Sequence, residues 1–212
     1  MHRPAPRRSR RVAALIALTA CSGGPTTAPP EVVAIAAQAC ESPNRSLGWG
    51  VVVGEDLVAT AAHTVGGPLR KLRVGGDPAT VVAVDARTDL ALLLAPTVAG
   101  EPAELSDGQV GEATVLTPDG QLPVQVTSTG PLVVHDTTAC VRHERLVHRF
   151  SPAVAGGTSG APLVDDRNRV LGIVVLSEQA DDEAYAVTAS ELATLVAERP
   201  ADVLPAPQEC PG

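Results

Sequence analysis

The sequence predicts an all-β fold: two packed six-stranded antiparallel β-barrels followed by a C-terminal α-helix. Three observations carry this. Short apolar runs recur along the chain with Gly, Pro, Asp or Asn between them, the signature of many short strands. The runs fall into two groups separated by the stretch from Pro96 to Asp107, and two groups of about six strands suit two packed barrels. One late segment, 190–199, instead spaces Leu192, Leu195 and Val196 as a helix does.

Residues 1–20 stand outside that fold. Arg3, Arg7, Arg8, Arg10 and Arg11 form a basic region ahead of the short apolar run Val12 to Ala20. The run is too short to span a bilayer, which takes about 20 apolar residues, and it reads as an export signal. Leu18-Thr19-Ala20-Cys21 looks like a bacterial lipobox, in which Cys21 becomes the acylated N-terminus; Ser9-Arg10-Arg11 loosely fits a twin-arginine signal. The Gly-, Pro-, Thr- and Ser-rich segment that follows reads as a flexible tether, placed at 21–39. The remaining residues, 40–212, are enough for one domain with a sizeable core.

The first group of expected strands is 47–53, 57–60, 69–74, 79–84 and 90–95; the second is 113–117, 122–127, 131–135, 145–150, 161–164, 170–176 and 184–188. Trp49, Phe150 and Tyr185 are the only aromatics. The core must therefore be built from Val, Leu, Ile and Ala, which suits strands but gives up the area that rings bury. At the end, Thr188 and Glu191 have capping-box spacing and Pro200 stops the helix. Removing residues 1–20 leaves 11 basic against 24 acidic residues, a net charge of −13. That charge disfavours nucleic acid and anionic head groups as partners.

The chemistry concentrates in Gly156-Gly157-Thr158-Ser159-Gly160-Ala161-Pro162-Leu163. A serine hydroxyl is a poor nucleophile until a base takes its proton and N–H donors hold the oxyanion. Glycines beside it permit a turn that aims two N–H groups at one point. Thr60-Ala61-Ala62-His63 supplies a base, with small residues that let the ring approach backbone. Arg87-Thr88-Asp89-Leu90-Ala91-Leu92 supplies an acid at the start of an apolar strand. The chain order is His63, Asp89, Ser159, separated by 26 and then 70 residues.

In that order the three motifs resemble those of trypsin-like serine proteases, and the compact spacing resembles the bacterial HtrA-type branch and the anchored actinobacterial trypsin-like peptidases more than the longer digestive enzymes. The resemblance covers roughly Ser46 to Val196. It implies a serine endopeptidase that hydrolyses peptide bonds through an acyl-enzyme. Ser159 is the implied nucleophile, His63 the base and Asp89 its orienting acid, with the N–H groups of Gly157 and Ser159 as oxyanion hole. It implies a protein or peptide substrate and neither metal nor organic cofactor. The substrate pocket is expected from Ala153 and Val154 on its floor and Val175, Leu176 and Ser177 on its wall, which suits a small or apolar residue.

Two positions depart from the family. Thr158 stands where Asp or Asn is usual, and Ala161 where Gly is usual. If these spoil the hole, the chain is instead an inactive or latent protease-like binding module on the cell envelope. The resemblance also supports a Cys40–Cys210 bridge, since related anchored proteases carry cysteines at similar ends; pairings with Cys140 remain open. The expected location is extracytoplasmic, at the cell membrane through lipid on Cys21, or secreted if the lipobox is unused. His135, Cys140, His143 and His148 are metal-ligand types, but their spacing matches no zinc motif and they read as surface residues.

Overall fold

A computed structural model describes residues 27–108, 110–136, 141–199 and 210. The expected signal, the lipobox with Cys21, the start of the tether and Cys140 lie outside the described residues. The first half contains β1 (Val32–Ala39), β2 (Arg45–Gly54), β3 (Leu57–Ala61), β4 (Leu69–Val74), β5 (Asp77–Pro78), β6 (Thr80–Asp85) and β7 (Leu90–Leu94), with a 3₁₀ turn at Ala62–Thr64. The second contains β8 (Gly111–Thr117), β9 (Gly120–Asp136), β10 (Val141–Ser151), β11 (Pro162–Val164), β12 (Val170–Glu178) and β13 (Glu183–Thr188). The helix α1 (Ala189–Glu198) closes the described fold.

The core is all-β with one C-terminal helix, as expected, but it is not two closed six-stranded barrels. The second half is a closed barrel in the order β10-β13-β12-β11-β8-β9. The first is a seven-stranded sheet, β5-β4-β1-β2-β3-β7-β6. Its two edges are separated in sequence only by Ala79, so the sheet curls back on itself without a closing ladder. β5 is two residues long and ends in Pro78, which has no N–H to donate. The expected strands 122–127 and 131–135 are one long strand, β9.

The expected tether 21–39 is also corrected, because 32–39 form β1, an interior strand of the first sheet. β1 pairs with β2 from Val32↔Val51 to Gln38↔Arg45 and with β4 on its other side. Val33, Ile35 and Ala37 point into the first-half core with Val58, Leu72 and Leu93, and the alternate residues face outward. The segment from Pro96 to Asp107 is a link fastened to both halves. The Ala103 N–H donates to Val52 O at 2.9 Å, and Leu105 bridges to Val170.

Thr188 is the N-cap of α1, but its side chain makes no capping hydrogen bond; its hydroxyl meets Ser190 Oγ. Glu191 turns away from the expected capping box because Arg87 holds both its oxygens, at 3.2 and 2.8 Å. That guanidinium keeps the Glu191 carboxyl below its ordinary pKa. The pair ties the segment before β7 to the helix, across the two halves. Cys40 and Cys210 form a disulfide with Cα atoms 5.4 Å apart.

Candidate active site

His63 sits in the 3₁₀ turn after β3, where the small residues Ala61 and Ala62 let the chain pass close to Asp89. The Ala62 N–H donates to Asp89 O at 2.9 Å, and the His63 N–H donates to Asp89 Oδ1 at 2.9 Å. Asp89 adopts φ +63°, a left-handed conformation that Asp tolerates better than most residues, and so turns its carboxylate back toward the histidine. His63 Nδ1 lies 2.8 Å from Asp89 Oδ2, and His63 Nε2 lies 2.8 Å from Ser159 Oγ. With Nδ1–H donating to the carboxylate, Nε2 is left to accept the serine proton. The geometry therefore brings all three expected residues into one relay.

Ser159 is fixed from both halves. Its carbonyl accepts the Trp49 N–H of β2 at 2.8 Å, and the Gly160 N–H donates to Val174 O of β12 at 2.8 Å. The approach is close enough that a Cβ on Gly160 (φ +85°) would lie 1.9 Å from Trp49 O, and one on Gly48 would lie 2.7 Å from Ser159 O. Glycine is required at both positions by contact, and at Gly160 by φ as well.

Just before the serine, Ala155–Thr158 forms a turn closed by the Thr158 N–H on Ala155 O at 3.3 Å. Gly157, its third residue, has φ +88°, the value that a type II turn needs there. The Thr158 hydroxyl donates to the same Ala155 carbonyl at 2.8 Å. The residue that departs from the family's usual Asp or Asn thus adds a second bond to the turn. Among the described residues, neither the Gly157 nor the Ser159 N–H has a protein acceptor. Ala161 is fully buried with Val154 and Leu163, so its methyl is part of the core rather than a crowding element.

A cavity of about 270 Å³ opens beside Ser159, lined by His63, Val154 to Gly157 and Val174 to Ser177. Val154, Val175, Leu176 and Ser177 line it as expected. Ala153 does not; its N–H donates to Asp182 at 3.0 Å, and the buried Val154 takes the floor instead. The Ser177 hydroxyl and the Gln179 amide both donate to Val154 O, at 2.8 and 2.7 Å, which fixes wall to floor.

Arg145 was not singled out from the sequence. It comes from β10 in the second half, is 7% exposed, and places Nη1 3.4 Å from Asp89 Oδ2, the oxygen that also holds His63. Its Nε has no hydrogen-bond partner. An Arg between Glu144 and Leu146 on a strand carries no sequence signal of burial.

His148, read as a surface residue, is 1% exposed. Its Nδ1 lies 2.7 Å from Thr129 Oγ1, and Nε2 has no partner by geometry. Burial holds its pKa below the ordinary 6.5, which the nearby Leu171 backbone only partly offsets. Among the described residues no group of three or more His, Cys, Asp or Glu is placed to hold a metal.

The family profile described as "Trypsin-like peptidase domain" matches residues 48–173, which contain His63, Asp89 and Ser159. The chain belongs to the trypsin-like peptidase family. Among proteins of this family it is 30% identical over 180 residues to serine protease Rv3671c of Mycobacterium tuberculosis (strain ATCC 25618 / H37Rv). The same holds for serine protease MT3772 of M. tuberculosis strain CDC 1551 / Oshkosh. The match covers 77% of this chain and 45% of each relative, so the chain spans under half the length of these curated relatives. The crystal structure of the active form of the Rv3671c protease superposes with a TM-score of 0.75 at 28% identity, covering 85% of this chain and 86% of that one. The inactive form superposes at 0.66, again at 28% identity, over 81% and 90% of the two chains.

Proposed function

We propose that this trypsin-like peptidase is an extracytoplasmic serine endopeptidase acting through an acyl-enzyme. The observation that carries the reading is the unbroken relay Asp89–His63–Ser159, two contacts of 2.8 Å, beside a turn whose Gly157 and Ser159 N–H groups are free to take an oxyanion. Ser159 Oγ attacks the peptide carbonyl while His63 Nε2 takes its proton. The carbonyl oxygen becomes an oxyanion facing the two N–H groups. The C–N bond then breaks, the imidazolium returns the proton to the leaving amine, and an ester remains on Ser159. Water repeats the sequence to release the acid and restore the hydroxyl. Asp89 holds the tautomer and stabilises the imidazolium.

The apolar walls and uncharged lining of the pocket support a small or apolar residue on the acyl side of the cut. A peptide library cut chiefly after Lys or Arg would overturn that preference. The Cys40–Cys210 disulfide supports an oxidising, extracytoplasmic location. Lipid on Cys21 would hold the domain at the membrane; Cys21→Ser is expected to release the protein from the membrane fraction.

The test of activity is labelling of the full-length chain with a fluorophosphonate probe beside Ser159→Ala. Labelling of the unsubstituted chain alone is expected. A folded chain that takes no label would instead favour the binding module.

A further inference from the structure

The outer face of the first sheet carries a cationic groove. On that face Gln38 of β1 lies opposite Arg45 of β2 on one side and Lys71 of β4 on the other. Two residues along, Ala36 lies between Leu47 and Arg73 in the same way. Directly opposed residues share a face of the sheet. The result is a depression of about 280 Å³ with Ala36, Ala37 and Gln38 along its base and Arg45, Lys71 and Arg73 at its sides. Small residues on β1 sink the middle strand below its neighbours. The walls stand two strand spacings apart, roughly 10 Å, which is room for one extended polypeptide.

These cations differ from three arginines of the second half. Arg145, Arg149 and Arg169 there are in ion pairs. Among the described residues, none of Arg45, Lys71 and Arg73 is within ion-pair distance of a carboxylate; Arg73 donates only to the Gly76 carbonyl. Three uncompensated cations around one depression, on a chain whose mature net charge is −13, form a local field opposite in sign to the rest of the molecule. Such a field attracts an anionic ligand specifically to that place.

The strand β2 runs from the groove toward the catalytic site. β2 passes from Arg45 through the exposed Leu47 to Gly48 and Trp49, which touch the Ser159 carbonyl. Three residues of extended chain separate Arg45 from Gly48, roughly 10 Å. The substrate cavity is lined by second-half residues together with His63, and the groove by first-half residues alone, which supports assigning the groove to the leaving half of a substrate.

We propose that this groove receives acidic side chains of the polypeptide substrate, about three to four residues beyond the scissile bond on the leaving side. The proposal rests on the peptidase reading above and adds a substrate class to it. A narrow concave channel favours one extended chain over a flat anionic membrane. The molecule's overall negative charge opposes the membrane as well.

The test uses the full-length Ser159→Ala chain, which binds without cutting. The probes are two fluorescent peptides identical through the cut site, one with Asp and Glu at the distal positions and the other with Asn and Gln. The acidic peptide is expected to bind about tenfold more tightly at low salt, from a few weak exposed contacts. That preference should vanish in Arg45→Gln/Lys71→Gln/Arg73→Gln and shrink in Lys71→Gln alone, which disturbs the surface least. Lys71 is the chain's one lysine, so carbodiimide coupling of the acidic peptide should map to it. Equal affinity for the two peptides, or a preference that survives neutralisation, overturns the proposal. So does groove-dependent binding to phosphatidylglycerol vesicles without peptide discrimination. Fluorophosphonate labelling of the wild-type chain reports separately on the peptidase reading, so loss of labelling with intact discrimination sinks that reading and spares the groove.

Discussion

The two halves hold their catalytic groups in different ways. His63 and Asp89 are fastened to each other by first-half groups: the Ala62 and His63 N–H groups both donate to Asp89. Ser159 and Gly160 belong to the second half but are clamped by both, through Trp49 N–H and Val174 O. Arg145 reaches the other way, from the second half onto Asp89. The comparison teaches that base and acid form a locally determined pair, whereas the aim of the nucleophile depends on how the halves meet.

The largest expected effect probes the local pair. Asp89→Asn should lower kcat/KM by about 10⁴, as loss of the tautomer-fixing acid does in triad enzymes. It should also lower Tm, because it leaves the buried Arg145 guanidinium without its counter-charge. Asp89→Asn/Arg145→Met should then recover Tm but not activity. Equal Tm for the single and double variants would break the assigned role of Arg145.

Next comes the clamp. Gly160→Ala should cost about 10²-fold or more in labelling rate, because an ångström-scale displacement of a reacting group has that effect. Gly67 also has positive φ (+80°), but nothing lies within 4 Å of where its Cβ would be. Gly67→Ala should therefore lower Tm slightly and leave labelling unchanged. Similar labelling losses in both would show that backbone strain, rather than contact with β2, governs the site.

Arg145→Met alone should destabilise the fold by about 1–3 kcal/mol in chemical denaturation, a range kept small because Asp89 is partly open to solvent. Arg145→Lys should recover part of that loss.

The smallest effect is confined to the barrel of the second half. Its His148 resists protonation, so below pH about 6.5 the unfolded chain takes up a proton that the folded chain refuses. Stability should be undiminished by this residue above that pH and should fall as pH drops toward the folded pKa. His148→Gln should flatten the Tm–pH curve below pH about 6.5. An unchanged slope would mean that carboxylates elsewhere dominate.

What was legible in the sequence divides along the same line. His63, Asp89 and Ser159 each sit in a local motif whose neighbours fix the backbone, so their order and strands could be read directly. β1 was missed because its outward positions, Ala34, Ala36 and Gln38, are weak strand formers and the Pro- and Thr-rich stretch before it reads as linker. Arg145 and the Thr158 hydroxyl act through groups placed by folding. His148 looked exposed because a histidine on a strand was read as facing solvent, whereas β10 is buried on both faces here, with Val147 in one core and Phe150, on the His148 side, in another. The first half was expected to close, since Ala79 to Val84 reads as an ordinary strand; closure fails at Pro78, beside it.

The leash is shorter than it first looked. The Thr27 N–H donates to Arg167 O at 3.1 Å, and the Asn168 side-chain amide donates to Thr27 O at 2.7 Å. The chain is thus stitched to the second half before it enters β1. With lipid on Cys21, five residues would separate the anchor from that stitch, a span of at most about 20 Å when fully extended. A tether running to residue 39 would have allowed about 60 Å. With such an anchor, the shorter length would confine the domain to the layer of solvent next to the bilayer. Its working radius would then take in the juxtamembrane parts of other envelope proteins and leave polypeptides deeper in the wall out of range.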